Sequence, residues 1–330
     1  MKAIFRTCCL AVAALALGVG LVLPTQLQQV EEAPEQQGHA AILENLPLDA
    51  EKRATLEGAL KARQYKQAED LLVKEIDRDP KSCPLLTLLA RVFFLDGKYL
   101  NCAIAMKKAD AVSPLKDPER FTLALAYIIL NHRDWARPEL EKLAAADPAS
   151  PLYPYWLGRI DYDGRQYRAA VVKFQKALEV NPDFMKAYDN LGLSYEGLGE
   201  YDNAINIYRK AVDLNRKKAA PSPWPPLNLG ALLVKLGRFP EAEASLKESL
   251  QYAPRFPTAH YQMGLLLDRQ GQELKALEEL RQAAENDPSY PDPHYLMTQI
   301  YQRLGEKEQA DSERATFQKL KKQYPREDPH

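Results

Sequence analysis

MKAYDNLGLSYEGLGEYDNAINIYRKAVDLNRKK, residues 185–218, is the stretch that decides the fold. In its first half, residues with the three- and four-residue spacing of one helix face are Tyr188, Leu191, Gly192 and Tyr195. Gly199 can end this helix, because glycine readily adopts a positive φ. A second face with the same spacing follows, at Tyr201, Ala204, Tyr208 and Ala211. The stretch therefore predicts two helices joined by a tight turn, which cross closely where Gly192 and Ala204 are small.

This pattern returns every 34 residues along most of the chain. The first positions of the units are Asp49, Cys83, Asp117, Pro151, Met185, Pro223, Pro257 and Pro291, with four inserted residues before Pro223. Position 15 is glycine at Gly97, Gly199, Gly237, Gly271 and Gly305. Position 20 is alanine except at Cys102, and position 32 is proline in six of the eight units. A fixed period of this length predicts a solenoid, in which each unit packs only against its neighbours.

These residues resemble the tetratricopeptide repeat, a helix–turn–helix unit of 34 residues. The resemblance covers residues 49–324 and implies an all-α, right-handed superhelical solenoid of about eight repeats. The predicted repeats are 49–82, 83–116, 117–150, 151–184, 185–218, 223–256, 257–290 and 291–324. A tail, 325–330, follows them.

Several positions depart from the repeat pattern. Arg63 and Asn131 stand where the turn glycine is expected, and Gly164-Arg165 predicts a turn shifted by one residue. Arg314 occupies position 24 of the last repeat, which suits a chain end because terminal repeats need a polar outer face.

The insertion before the sixth repeat predicts a change in the chain path. Arg216 replaces the proline at position 32, so the helix is expected to continue through Lys218. The proline-rich stretch that follows includes Pro221 and Trp224, which are either a longer surface turn or a hinge or ligand-contact loop.

The N-terminus predicts a targeting segment. Lys2 and Arg6 precede an uncharged run, 7–23, whose length lies between that of a signal peptide and that of a membrane helix. We expect residues 1–25 to be a cleaved signal or an N-terminal single-pass anchor, followed by a polar spacer, 26–48. Under either interpretation the repeats lie outside the cytoplasm, in the periplasm or secreted.

Composition and motifs exclude several classes of function. The 44 basic and 45 acidic residues nearly cancel, which argues against nonspecific nucleic-acid binding. No zinc-protease, P-loop or dinucleotide-binding motif occurs, so no enzyme activity, cofactor or metal is expected. Cys83 and Cys102 fall near opposite ends of a helix pair, too far apart for a disulfide.

The resemblance implies that the first helix of each repeat lines a concave groove, through positions 2, 5, 6, 9, 12 and 13. The residues predicted to bind a peptide there are Arg91, Phe121, Tyr155, Trp156, Arg159, Asn190, Asn228, Tyr261, Gln262 and Tyr295. Asn190, Asn228 and Gln262 share position 6 in three successive repeats, and amide side chains can pair with a peptide backbone. Aromatic residues at helical spacing can equally pack between repeats.

The function predicted from these observations is a non-catalytic scaffold or adaptor that binds a protein or peptide in the groove. Membrane contact is expected only through the N-terminal segment. One alternative is a structural subunit of an envelope or secretion assembly, which uses its convex face or its ends. Another is a carbohydrate- or lipid-binding module, for which the groove aromatics are the evidence.

Overall fold

The computed structural model describes residues 46–324, and this part of the chain contains sixteen α-helices and no strand. The helices are α1 Ala50–Lys61, α2 Tyr65–Arg78, α3 Cys83–Leu95, α4 Tyr99–Val112, α5 Asp117–Ile129, α6 Arg133–Ala146, α7 Leu152–Asp163, α8 Tyr167–Val180, α9 Met185–Gly197, α10 Tyr201–Asn215, α11 Trp224–Lys235, α12 Phe239–Tyr252, α13 Pro257–Arg269, α14 Glu273–Asn286, α15 Pro291–Leu304 and α16 Lys307–Gln323.

The described residues fall into two compact units, with the boundary after Pro221, inside the insertion. The N-terminal unit, 46–221, contains α1–α10, and the C-terminal unit, 222–324, contains α11–α16. Within each unit, the two helices of a repeat pack on each other, and the second helix packs on the first helix of the next repeat. The predicted all-α fold of repeating helix pairs, typical of a solenoid, is therefore confirmed.

The turn between the two helices has the same backbone conformation in all eight repeats. Position 15 has φ between 72° and 78° where it is glycine, and between 56° and 60° at Arg63, Asn131 and Arg165. The predicted shift at Gly164-Arg165 is therefore wrong. Gly164 has φ −81°, and Arg165, at position 15, adopts the left-handed conformation itself.

One hydrogen bond accompanies this conformation in every repeat. The N–H of position 16 donates to the carbonyl of position 11 over 2.8–2.9 Å, from Gln64 N to Ala59 O in the first repeat and from Glu306 N to Tyr301 O in the last. This bond closes a Schellman turn, which needs a left-handed residue just before its donor.

Arg165→Gly is expected to raise the free energy of unfolding by about 1 kcal/mol. The left-handed conformation costs a non-glycine residue roughly 1–2 kcal/mol, which glycine avoids, but the greater chain entropy of glycine in the unfolded state offsets part of this gain. Gly164→Ala is expected to change it by less than about 0.5 kcal/mol, since its φ is negative and other repeats carry larger residues there. Urea unfolding of the full chain measures both. If Gly164→Ala lowered stability and Arg165→Gly left it unchanged, Gly164 and not Arg165 would be the left-handed residue of the turn.

Position 8 packs against position 24 of the same repeat, and it is glycine in both repeats that have an aromatic ring at position 24. A methyl group on Gly192 would overlap the ring of Tyr208, and one on Gly158 would lie 2.8 Å from the ring of Phe174. The third repeat instead combines Ala124 with the smaller Leu140, and both are buried. An aromatic residue on the second helix therefore requires glycine on the first.

Gly192→Ala is expected to lower the free energy of unfolding by about 1–3 kcal/mol through overpacking against Tyr208. Combining it with Tyr208→Leu reproduces the pairing of the third repeat. The double variant should then be more stable than the sum of the two single effects predicts. Strictly additive effects in urea unfolding would show that the two residues are not matched.

A polar contact joins position 4 to position 23 in three repeats. Arg120 hydrogen-bonds Glu139 in the third repeat, and His260 and His294 do the same with Glu279 and Glu313, at 2.7 and 2.6 Å. The other ring nitrogen of His260 lies 3.0 Å from the carbonyl oxygen of Pro254. Only an imidazolium donates to both acceptors, and the hydrogen bond to Glu279 raises the pKa of His260.

The raised pKa makes the stability contributed by His260 depend on pH. This contribution is complete below the ordinary histidine value of 6.5 and is lost as pH rises through the higher folded-state pKa. His260→Gln should therefore lower stability more at pH 5.5 than at pH 8.5, as measured by urea unfolding. The matched variant Arg120→Gln should have equal effects at both values, because arginine keeps its charge. If His260→Gln lowered stability equally at pH 5.5 and pH 8.5, the raised pKa of His260 would be contradicted.

The α-helix at the insertion is shorter than predicted. It ends at Asn215, and the N–H groups of Lys217 and Lys218 donate instead to carbonyls three residues earlier, at 3.2 and 3.0 Å. This tighter bonding ends the α-helix before the lysines. Arg314 is exposed in the last repeat, which agrees with its predicted place on the outer face.

No helix within 46–324 is long and apolar enough to cross a membrane. The predicted signal or anchor at 1–25, most of the spacer and the tail from 325 lie outside the described residues.

Candidate binding surface

Positions 2, 5, 6, 9, 12 and 13 of the first helices are here called the first-helix surface. In the N-terminal unit it holds the predicted residues Arg91 on α3, Phe121 on α5, Tyr155, Trp156 and Arg159 on α7, and Asn190 on α9. In the C-terminal unit it holds Trp224 and Asn228 on α11, Tyr261 and Gln262 on α13, and Tyr295 on α15.

Three of the predicted aromatic residues are buried inside the N-terminal unit. Tyr155 packs edge-on against Trp156, with ring centroids 5.6 Å apart, and against Phe184 at 5.0 Å. Phe121 packs in the same way against Tyr153 at 5.7 Å. These rings fill space between helices and present little surface to a ligand.

A polar network joins α7 to α9 beside these rings. Asn190, only 5% exposed, donates to the Lys186 carbonyl at 2.8 Å and to the Tyr155 hydroxyl at 3.4 Å. Its side-chain oxygen accepts from Arg159 at 3.3 Å. The amide of Asn190 is thus engaged within the protein, which leaves it little capacity to hold a peptide backbone.

Burial shifts the protonation of two groups in this network. Burial raises the pKa of Tyr155 to about 12, so its hydroxyl keeps its proton at neutral pH. Burial also raises the pKa of Asp163, although the charges of Arg159 and Arg133 oppose this shift. Arg159 lies 3.8 Å from Asp163 and so links the carboxylate to Asn190.

Arg91 has the same position in its repeat as Arg159 but different surroundings. It is half-buried, and burial lowers the pKa of its guanidinium while the charge of Glu119 opposes this. Asp163 occupies position 13 of the predicted surface and could have been chosen from the sequence. Glu119 occupies position 3, outside that set, and no sequence signal marked it.

The C-terminal unit exposes more of its predicted aromatic residues. Tyr295 is 50% exposed and packs against Phe317 of α16, with ring centroids 5.2 Å apart. Trp224 is also exposed and contacts Phe256 edge-on, with ring centroids 4.9 Å apart. Tyr261 is half-buried beside Tyr290. This unit therefore offers aromatic contact area at the surface.

Polar groups accompany these aromatic residues. Gln262 is half-buried on α13, about two helix turns before Asp268 and Arg269. Asp268 hydrogen-bonds Arg303 of α15, and Arg269 donates to the Val234 carbonyl of α11 at 2.7 Å. The C-terminal end of α13 is thus tied to both neighbouring first helices, α11 and α15.

The described residues contain no group of three or more side chains that could hold a metal ion. Cys83 and Cys102 are free, and burial raises the pKa of Cys102 to about 12, which makes that thiol unreactive. An open depression of about 910 Å³ lies along α1 and α2, where Lys52 and Lys66 are ion-paired with neighbouring carboxylates.

Comparison with known families decides the identity of these repeats. Family models described as tetratricopeptide repeat match residues 227–291 and 186–218, and one described as TPR repeat matches 158–199. The chain is a tetratricopeptide repeat protein.

Solved structures of other tetratricopeptide repeat proteins share the fold. One from Parabacteroides merdae has a TM-score of 0.60 at 17% identity and covers 79% of this chain and 99% of its own. The type IV pilus biogenesis factor PilW has a TM-score of 0.54 at 23% identity, covering 64% of this chain and 96% of its own. These identities show a common fold and nothing about a common partner.

A curated relative is the protein CTR9 homolog of Arabidopsis thaliana, which is 27% identical over 190 residues. The match covers 53% of this chain and 17% of the relative, so this chain corresponds to a small part of that protein.

Asn190→Ala is expected to lower the free energy of unfolding by about 1–3 kcal/mol, because it removes the hydrogen bonds of Asn190 to Arg159, Tyr155 and the Lys186 carbonyl. Gln262→Ala should change it by less than about 0.5 kcal/mol, since the Gln262 side chain makes no hydrogen bond within the described residues. Urea unfolding of both variants measures the contrast. Equal effects would mean that the Asn190 network contributes nothing special to stability.

Proposed function

We propose that this tetratricopeptide repeat protein is a non-catalytic interaction scaffold that binds a protein or peptide segment on its first-helix surface. The exposed aromatic side chains of the C-terminal unit, with Tyr295 half accessible, are the observation that carries the proposal. Aromatic residues are favoured anchors at protein interfaces because they bury a large area at low entropic cost.

Polar groups beside these anchors support binding of a peptide rather than a purely apolar ligand. Gln262 has an amide that can donate and accept, and the Asp268–Arg303 pair lies on the adjoining helices. The buried residues Phe121, Tyr155 and Trp156 are expected to shape the surface from below and not to contact the partner.

A peptide selected from a random phage-displayed library against the full chain provides the ligand for a test. Tyr295→Ala is expected to weaken its binding by about tenfold, as loss of an interface anchor does. Leu274→Ala is the matched control, because Leu274 is an apolar residue 76% exposed on the second helix α14. Calorimetric titration gives both affinities, and unfolding curves verify that each variant is folded.

If instead Leu274→Ala weakened binding and Tyr295→Ala did not, the peptide would bind to the second helices and not to the first-helix surface. Failure to select any peptide that binds the full chain would argue against peptide recognition altogether.

A second candidate function is that of an assembly subunit. Leu100 and Ile104 are 56% and 49% exposed and lie one turn apart on one face of the second helix α4. Light scattering after size-exclusion chromatography tests this candidate. A defined oligomer that Leu100→Lys/Ile104→Lys dissociates would favour it, and a monomer would oppose it.

Display outside the cytoplasm by residues 1–25 also remains a proposal, supported by the charge and hydropathy of that segment. Cell fractionation with N-terminal sequencing of the mature chain tests both the compartment and the cleavage.

A further inference from the structure

A row of basic side chains runs along the C-terminal ends of the first helices in the C-terminal unit. Position 13 is Lys235 on α11, Arg269 on α13 and Arg303 on α15, and all three are exposed. The same position in repeats two to five holds Leu95, Ile129, Asp163 and Gly197. The repeat pattern does not require a basic residue here, so the row needs an explanation of its own.

Arg269, in the middle of the row, has no carboxylate partner. Its Nη1 atom donates to the Val234 carbonyl of α11 at 2.7 Å, and its side chain makes no other hydrogen bond and no ion pair within the described residues. The Val234 carbonyl also accepts from the Gly237 N–H at 3.1 Å, so it has a partner without Arg269. The bond positions an exposed guanidinium that keeps most of its five N–H donors for another acceptor.

Arg303, the next member of the row, differs because the protein balances its charge. It hydrogen-bonds Asp268, and its Nε atom lies 4.0 Å from Glu273. Asp268 directly precedes Arg269 in the chain but pairs with Arg303 across to α15. The charge of Arg269 is therefore not neutralised by its nearest acidic neighbour.

Lys235 adds a second positive charge at the same place, because it directly follows Val234, the residue that Arg269 contacts. A helix C-terminus carries the equivalent of about half a negative charge, which basic residues in the last turn commonly offset. Two positive charges beside the end of α11 exceed that amount. The excess favours an anionic group at this point of the first-helix surface.

Gln262 shares a face of α13 with Arg269. The two residues are seven positions apart, which is about two helix turns and about 10 Å along the axis. The bond from Arg269 to Val234 shows that this face is turned toward α11. The half-buried Gln262 side chain makes no hydrogen bond within the described residues, so its amide is available to a ligand.

These two groups differ in the partners that they suit. An amide both donates and accepts, as a peptide main chain does, whereas a guanidinium only donates and fits the two oxygens of a carboxylate. An extended peptide spans 10 Å with about three residues. We propose that Arg269, with Lys235 beside it, binds the side-chain carboxylate of an acidic peptide segment, about three residues from a main-chain group held by Gln262. This inference rests on the proposed peptide-binding function and names the chemical class of the partner.

The first test needs no ligand. Arg269→Gln should change the melting temperature of the full chain by less than about 2 °C, because the Val234 carbonyl keeps its bond to Gly237. Arg137→Gln is the matched control and should lower it further, because Arg137 hydrogen-bonds the buried Asp161 at 2.5 Å. An equal drop for both variants would show that Arg269 is a structural link between helices and would overturn the proposal.

The second test uses a peptide selected from a random phage-displayed library against the full chain and synthesised with an amidated C-terminus. Each Asp or Glu of the peptide is replaced in turn by Asn or Gln, which keeps the shape and removes the charge. One replacement is expected to weaken binding to the wild type by about tenfold, as loss of a charge-assisted pair does. The same replacement should change binding to Arg269→Gln by less than about twofold, because its partner is absent. Arg314→Gln, which removes an exposed arginine from the second helix α16, should respond as the wild type does.

The remaining outcomes separate the two levels of the proposal. If the selected peptide binds but has no acidic residue that couples to Arg269, this contact is wrong while peptide binding stands. If coupling to Arg269 appears only when the peptide has a free C-terminal carboxylate, the side-chain assignment is overturned. If no selected peptide binds the full chain, the proposed function fails, and this contact fails with it.

Discussion

Each helix hairpin of the described chain is closed by one backbone hydrogen bond, from the N–H of position 16 to the carbonyl of position 11. This bond forms only when position 15 adopts the left-handed conformation, and it sets the direction in which the second helix returns along the first. The direction in turn decides which side chains face the hairpin interior and which form the first-helix surface. Because the condition concerns the backbone alone, Arg63, Asn131 and Arg165 can meet it at an energetic cost.

The packing inside the hairpin explains how three non-glycine residues are kept in that conformation. Position 20 is buried in every repeat, and position 8 packs against position 24, as Gly192 does against Tyr208. A shift of the turn by one residue would rotate the second helix by about 100° and expose this packing. In the fourth repeat, Ala170 and Phe174 would leave their buried positions. The packing free energy lost in this way is larger than the backbone strain at Arg165.

The sequence predicted the helices well because the period, the small residues and the turn signals agree in most repeats. The prediction at Gly164-Arg165 was wrong because it used only the local preference of glycine for positive φ. In the folded chain, the packing at Phe174 determines which residue is left-handed. The site was harder to predict. Helical spacing places Tyr155 and Tyr295 on equivalent faces, but only the neighbouring helices determine that the first is buried and the second exposed. No sequence pattern marks Glu119, whose Oε2 atom is buried without a hydrogen-bond partner within the described residues, because that property depends on the neighbouring helices.

Arg91 and Arg159 show how equivalent positions of a repeated backbone can have different surroundings. Both occupy position 9, but Arg159 has Asp163 four residues later and Asn190 on the next first helix, whereas Arg91 has Leu95 and Thr122 at the corresponding positions. The Arg159 guanidinium is therefore hydrogen-bonded to the next first helix, whereas the Arg91 side chain makes no hydrogen bond within the described residues. In a solenoid, stability is close to a sum over repeats and nearest-neighbour interfaces, so a side chain without an internal partner affects only its own interface. The well-packed repeats on either side can tolerate such a local loss, so one repeat can keep a side chain that stability alone would not favour.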